Sequence, residues 1–500
     1  MNRVRKVLGS VFLWSLLLLA LLSSGCKREP TAEAPAGSVN SAGVPSQFRD
    51  LRSLPGTVFD VKYSPNVVRI DLATTQKTLR SVSDDGKVFV FESDDPRLRD
   101  LREGKIMFLE HLGARRVLAV HTEGQQIAFL TESAALTDLI QDGTVEFNVP
   151  VNFREMQARN SPSRRDDEAG RGNWSIVPRV YASEGIKYAV HTKGEINDWE
   201  FEIEGEPEGD GLSLSLDAAK KKLAGLKVSV KIKGELEHIV TAFKARIHGN
   251  KMQEFEYSTP LKGHVNVSWA ALTDGPNSGI GEARLQLPPF AKDVFDVYGI
   301  PFLFKVDEAL IFKPGFGGKK DAAEGKFHVN YDGEGGLSIH GEQSTPKGTM
   351  NAEPEAEKTT AESLAAHGVV LAVNAPKVSV SLGTESIEEA IKEAVPKSLG
   401  NKVAELLEKG PFGLGGLVKK AKEDFFHVEG GAYLQLVTEF DYAGSGPLSL
   451  VPCSMTHLNF FAQAGADATL FALKGESPKL NLKESHWTKR EPDVNICGQK

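Results

Sequence analysis

Cysteine is scarce, with three residues in 500. That excludes a disulfide-dense scaffold and a four-cysteine zinc site, and the lack of any C-x-x-C spacing excludes a dithiol redox centre. Long apolar runs are missing as well. Val11 to Leu22 holds twelve residues with Ser15 inside it, short of the roughly 20 that a helix needs to cross a bilayer. Basic charge is not in surplus: 59 Lys and Arg stand against 67 Asp and Glu, a formal charge of −8. This is the wrong sign for a partner made of phosphates, so nucleic acid is excluded. Catalytic signatures are missing too. No H-E-x-x-H helix, G-x-S-x-G elbow or G-x-x-x-x-G-K-[ST] phosphate loop occurs. What is present is an ordinary globular composition, 40% hydrophobic and 25% charged, in a length that predicts about three domains.

The N-terminus carries an address. Arg3, Arg5 and Lys6 precede the apolar run, and Ser23, Ser24 and Gly25 lead to Cys26. Basic, then apolar, then small is the order of a secretory signal. The string Leu22-Ser23-Ser24-Gly25-Cys26 resembles the lipobox of bacterial lipoproteins, with one departure: Ser23 sits where that family usually has leucine. The resemblance implies cleavage before Cys26 and acylation of its thiol and new amine. A plain cleaved signal peptide is the alternative. Removing residues 1–25 takes three positive charges and moves the formal charge from −8 to −11. Acyl chains would then have to hold the protein, and each buried CH₂ contributes about 0.8 kcal/mol. Lys27 follows the cysteine, and in the enterobacterial sorting rule a residue other than Asp there implies the outer membrane. With Cys26 acylated, Cys453 and Cys497 remain as a pair in an exported chain and read as a disulfide. It would close a loop of roughly 45 residues, worth about 4 kcal/mol by chain entropy.

Beyond the signal, residues 26–50 are rich in Ala, Pro, Ser and Gly and read as a flexible tether. From Phe59 the pattern turns to strands. Leu79–Val82 and Val88–Phe91 flank Asp84-Asp85-Gly86, a hairpin signal. Runs at Ile106–Leu109, Val117–Val120 and Ile127–Leu130 follow. The stretch from Leu101 to Phe147 (LREGKIMFLEHLGARRVLAVHTEGQQIAFLTESAALTDLIQDGTVEF) resembles a β module recurrent in exported bacterial surface proteins, within residues 60–150. That resemblance implies an exported β module and brings no catalytic residue.

Period-two alternation is clearest further on. Trp199, Phe201 and Ile203 alternate with glutamates, and Leu226, Val228, Val230 and Ile232 with Lys and Ser. Half-buried antiparallel sheets are the physical meaning of such a pattern. The expected fold is therefore mainly β, with large antiparallel sheets as a sandwich or open barrel and a small helical segment near 385–425. The expected partition is an N-terminal β domain over 51–154, a linker over 155–173, and a central β domain over 174–341. A linker-like stretch over 342–362 and a C-terminal β domain over 363–500 complete it.

Each candidate site also has a plain structural role. Ser338 and His340 share a strand face, so they meet the same patch, but a wetted strand face explains them. His238, His248, His264 and His328 sit on polar strand phases and need no metal to explain them. Asp84-Asp85 and Asp94-Asp95 stand beside turns, as turn formers do. Gly315–Lys320 and the glycines of 410–416 fit loops. No cofactor, metal or catalytic residue is expected.

One constellation has functional content: apolar residues around flexible glycines at Ile391, Leu406, Phe412, Leu414, Leu417 and Phe425. They read either as a helical cover for an open sheet face or as a lid over a hydrophobic-ligand groove. The resulting expectation is a lipid-anchored, non-catalytic envelope protein that binds a hydrophobic ligand or a partner protein. A structural or adhesive surface protein and an unrecognised hydrolase are the alternatives.

Overall fold

The structure is a computed structural model. It describes residues 48–83, 86–92, 95–153, 190–196, 199–208, 211–223, 226–273, 283–286, 289, 291–316, 322–341, 343–357, 359–362, 367–384, 431–444, 453–466 and 479–491. The fold is mainly β, 78% strand against 6% helix, with large antiparallel sheets that include half-barrels and with three short helices. Backbone hydrogen bonding is thus almost all between strands. No helix among the described residues is long and apolar enough to cross a membrane.

Strands form where the alternation placed them, and their register follows from one long hairpin. Leu226–Glu237 and Val240–His248 lie end to end, and both pair with Lys251–Thr273. The hairpin closes at Gly249 and Asn250, whose φ angles of 59° and 60° suit a primed turn. Ala322–His340 runs along the other side of Lys251–Thr273, from Leu272↔Ala322 to Glu254↔His340. Val190–Ile196, Trp199–Glu208 and Gly211–Leu223 extend the sheet past Leu226–Glu237. Ile140–Pro150 and Val58–Tyr63 extend it past Val240–His248, to twelve strands.

A second sheet of eight strands has the order Arg49–Asp50, Ala291–Val297, Ile300–Phe316, His367–Leu382, Gly431–Gly444, Ser454–Ala466, Lys479–Glu491. Ala283–Gln286 pairs with Ile300–Phe316 off that path. All its pairings are antiparallel except the first, Arg49–Asp50 on Ala291–Val297.

These two sheets share one apolar core. Phe147 and Phe243 stack at 4.9 Å in the large sheet, and Phe302 of the second sheet meets them edge-on at 5.2 and 5.0 Å. Phe440 reaches Trp269 at 5.5 Å and Phe327 at 5.4 Å. Tyr257 Oη donates to the Val378 carbonyl at 3.2 Å, a polar strut across the same interior. Burial pushes that phenol's pKa upward, against the opposing Thr259 hydrogen bond.

The third sheet is small, with order Val67–Ile70, Ile106–Leu109, Gly113–Glu123, Gln126–Ser133, Val88–Glu92, Leu79–Val82. It holds its own core around Ile70, Leu79, Phe89, Phe91 and Phe129. Leu72–Thr78 is a helix. Asp71 starts it as N-cap, accepting from the Thr74 amide at 2.7 Å. Asp95 caps Pro96–Asp100 in the same way, through the Arg97 amide at 2.9 Å.

Two expectations need correction. Residues 342–362 are no linker: Gln343–Lys347, Met350–Ala356 and Thr360–Glu362 are strands paired along Ala322–His340. An outermost strand carries charge and proline because its free side faces water, and Pro346 and Pro354 are tolerated there. Nor do the sheets follow the sequential partition. Residues 190–273 and 322–340 build the large sheet while 283–316 belong to the second, beside strands from 367 onward. The end of the expected 26–50 tether is already part of the fold, with Arg49–Asp50 a strand, while residues 26–47, the 155–173 linker and the 385–425 helical segment lie outside the described residues.

Candidate functional site

Two gatherings of ionisable side chains among the described residues set a histidine beside a carboxylate of a second element, and these are the candidate sites. The first lies on the outer face of the large sheet, where alternation puts Ser338 and His340 on one side. They touch: Ser338 Oγ lies 3.0 Å from His340 Nε2. Across the ladder, Glu256 pairs with Ser338 and Glu254 with His340. One ligand atom each from Glu254, Glu256 and His340 falls within 4.8 Å of the others.

Both carboxylates are already engaged. Lys244 Nζ meets Glu254 at 2.8 Å with Arg246 3.6 Å away, and Lys347 Nζ meets Glu256 at 2.6 Å. The Lys244 hydrogen bond, against desolvation, holds Glu254 below the usual carboxylate range, and the Glu254 hydrogen bond raises Lys244. Three cations against two carboxylates make a poor seat for a divalent ion. A serine nucleophile also needs oxyanion donors. Here Ala322–His340 is paired on both sides, with Lys251–Thr273 and Gln343–Lys347, so its amides are spent on the ladders. The chemistry this face supports is charge compensation.

The second place is a junction of all three sheets. Ala291–Val297 and Ile300–Phe316 are joined by Tyr298 and Gly299, with φ angles of 52° and 91°, as a type I′ turn requires. Glycine suits the second position. Tyrosine at the first is held in a left-handed conformation that costs a non-glycine residue about 1 kcal/mol.

Asp296, fully buried, holds the turn in place. Its Oδ1 accepts from the Gly299 amide at 3.0 Å, and its Oδ2 lies 2.7 Å from His111 Nδ1. A carboxylate only accepts, so Nδ1 carries the proton. His111, itself at φ 67°, donates its amide to the Gly299 carbonyl at 2.8 Å, and Leu51 donates to the Asp296 carbonyl at 2.9 Å.

Around this pair lie further charges and rings. Arg52 clamps Asp50 through Nε and Nη2, which draws Asp50 below its ordinary range against desolvation. Arg69 binds Glu110 at 2.6 Å and lies 4.7 Å over the Tyr63 ring. Burial raises the Tyr63 phenol to about 12. The Tyr298 ring stacks on Phe59 at 4.8 Å, with 9° between planes.

None of these junction residues was singled out by sequence reasoning. His111 was one histidine of twelve, and its partner lies 185 positions away. The one local signal is Tyr-Gly between two alternating apolar runs, a turn sequence with an unusual first member.

The residues that were singled out are mostly elsewhere. His248 pairs with Asp142 at 2.8 Å, His264 with Glu235 at 3.9 Å and His328 with Glu355 at 3.5 Å, so each answers a different carboxylate. His238 sits at φ 56° in the break between two strands. Gly315 and Phe316 end a strand. Cys453 immediately precedes Ser454–Ala466. Cys26, Cys497, Ile391, Leu406, Phe412, Leu414, Leu417 and Phe425 lie outside the described residues. A small surface pocket of about 180 Å³ is lined by Leu98, Leu101, Val120 and Ile127 in the small sheet's module, too small for a long-chain ligand.

No curated protein and no solved structure matches the chain. Residues 53–142, which include the small sheet and the junction residues Phe59, Tyr63, Arg69, Glu110 and His111, match a family model described as a domain of unknown function, DUF8403.

Proposed function

We propose that this chain is a lipid-anchored protein of the bacterial cell envelope, held through acyl chains on Cys26. In this reading its β-sandwich takes a hydrophobic ligand and performs no catalysis. The basic, apolar, small and cysteine order of the N-terminus supports the anchor, and Lys27 supports an outer-membrane address.

One observation carries the ligand. The indole N–H groups of Trp199 and Trp269 are buried in the apolar core and meet no acceptor among the described residues. Leaving such a donor dry costs about 1–3 kcal/mol. A molecule with a long apolar body and an oxygen acceptor, seated between the sheets, would offset that cost. The charge-paired Ser338–His340 face, without oxyanion donors, supports a non-catalytic role.

The test is native mass spectrometry of the full chain extracted from membranes in mild detergent. A bound lipid-sized mass above the acylated polypeptide is expected. Changing Trp199 and Trp269 together to Phe should lower its occupancy several-fold. An unliganded mass in every preparation removes the ligand reading. Membrane attachment that survives Cys26→Ser unchanged removes the anchor.

A further inference from the structure

Resting on the lipid-anchor reading, we propose that the Tyr298–Phe59 stack, with Val58 on the opposite face of the same sheet edge, is a membrane-interface contact. This surface lies against phospholipid headgroups once the acyl chains have inserted.

The first support is exposure. Tyr298 is 46% and Val58 41% exposed, two of the five large apolar side chains so open among the described residues. Val58 and Phe59 point to opposite faces of Val58–Tyr63, which ends the large sheet: Phe59 packs partly buried against the core beneath Tyr298, and Val58 opens outward. The second is conformation. A tyrosine kept left-handed at a turn that asparagine or glycine would fill more easily is a costly way to make a turn. Asp296 and His111, both largely buried, are committed to pinning it. What the arrangement gains is a fixed, outward aromatic ring.

The third is where the chain arrives from its anchor. Residues 26–47 reach at most about 75 Å from Cys26. They join the fold at Arg49 and Asp50, which pair with Phe295 and Asp296, two residues before Tyr298. The tether therefore enters within about 15 Å of the stack, so this end of the fold can meet the bilayer without the tether being drawn out to its full length. The ring's chemistry suits that place. Tyrosine is apolar in its body and polar at its tip, and it concentrates at the headgroup level of membranes.

The experiment uses the full acylated chain in vesicles of phosphatidylethanolamine and phosphatidylglycerol brominated near the headgroup. Tyr298→Trp and Val58→Trp are compared with Leu272→Trp. Leu272 is 43% exposed and lies about 50 Å along the sheet from the level of Val58. Emission added by Trp at 298 and at 58 should be quenched at least twofold more than that added at 272. Equal quenching at all three positions in vesicles that still carry the protein overturns the inference and leaves the anchor standing. Protein that does not float with the vesicles overturns the anchor reading and this inference with it. Shielding of position 298 that depends on protein concentration and not on vesicles assigns the patch to a second copy and overturns the lipid assignment.

Discussion

Asp296 shows what one buried carboxylate does when every oxygen has a partner. Its two side-chain oxygens take a turn amide and an imidazole, and its carbonyl takes the amide of Leu51, the residue after strand Arg49–Asp50. The junction then rests on a single residue. Asp296→Ala leaves the Gly299 amide and His111 Nδ1 facing nothing, which should cost about 2–4 kcal/mol in urea unfolding. Asp296→Asn keeps an acceptor for Gly299 and should lose less. Equal stability of all three proteins would show that water replaces the carboxylate and that the turn does not depend on it.

Single residues also explain why part of this was legible in sequence and part was not. Ser338 and His340 were readable because two positions on one strand share a face by geometry alone. His111 and Asp296 were not, because alternation assigns a residue to a face and says nothing of which distant strand will lie opposite.

Among the elements, helix Leu72–Thr78 depends on its cap. Desolvation pushes the Asp71 carboxyl up, but the Thr74 amide, Arg97 and the Thr74 hydroxyl together outweigh it and bring the pKa from 3.8 to about 2. A carboxyl lowered on folding contributes stability above its unfolded pKa and loses it as pH falls through the folded value. Asp71 therefore supports the small sheet's module above pH 4, and that support fades between about pH 4 and pH 2. Melting temperatures over this range should fall more steeply for the wild type than for Asp71→Asn. Parallel curves would assign the acid sensitivity to other groups.

Strands show a second local device. Trp269 lies over Gly325, its direct cross-strand partner, and Phe201 over Gly194 and Tyr433 over Gly465 in the same way. The ring covers backbone that a glycine leaves bare. A Cβ at 325 would stand 2.9 Å from the indole. Gly325→Val should thus displace Trp269 from Phe440 and cost about 1–3 kcal/mol, read as lost stability with altered tryptophan emission. Unchanged emission would mean the ring had not moved. The edge pieces within 343–362 were hidden from sequence reading for a related reason. Outermost strands are written in Glu, Lys and Pro so that they do not recruit other chains, and that composition is also a linker's.

For the whole molecule, alternation was enough to give large antiparallel sheets, because each has one dry and one wet face. It could not give their membership, and the central segment was split between two sheets. The proposed Cys453–Cys497 bond belongs to this scale, since it would tie residues beyond Lys479–Glu491 back to Ser454–Ala466. Cys453→Ser should lower stability by about 4 kcal/mol if that loop closes in the native chain, and one reductant-sensitive bond should appear by mass. Two free thiols in the unreduced protein would remove the bond.

The parallel pair Arg49↔Phe295 has a kinetic consequence. Its partners are about 250 residues apart, and the sheet they open ends at Glu491. Pairings so distant in sequence make folding slow. The second sheet cannot be completed while its last strand is still being made. The nascent chain must therefore carry unsatisfied sheet edges until Lys479–Glu491 has been made, and its time of greatest aggregation risk falls before that.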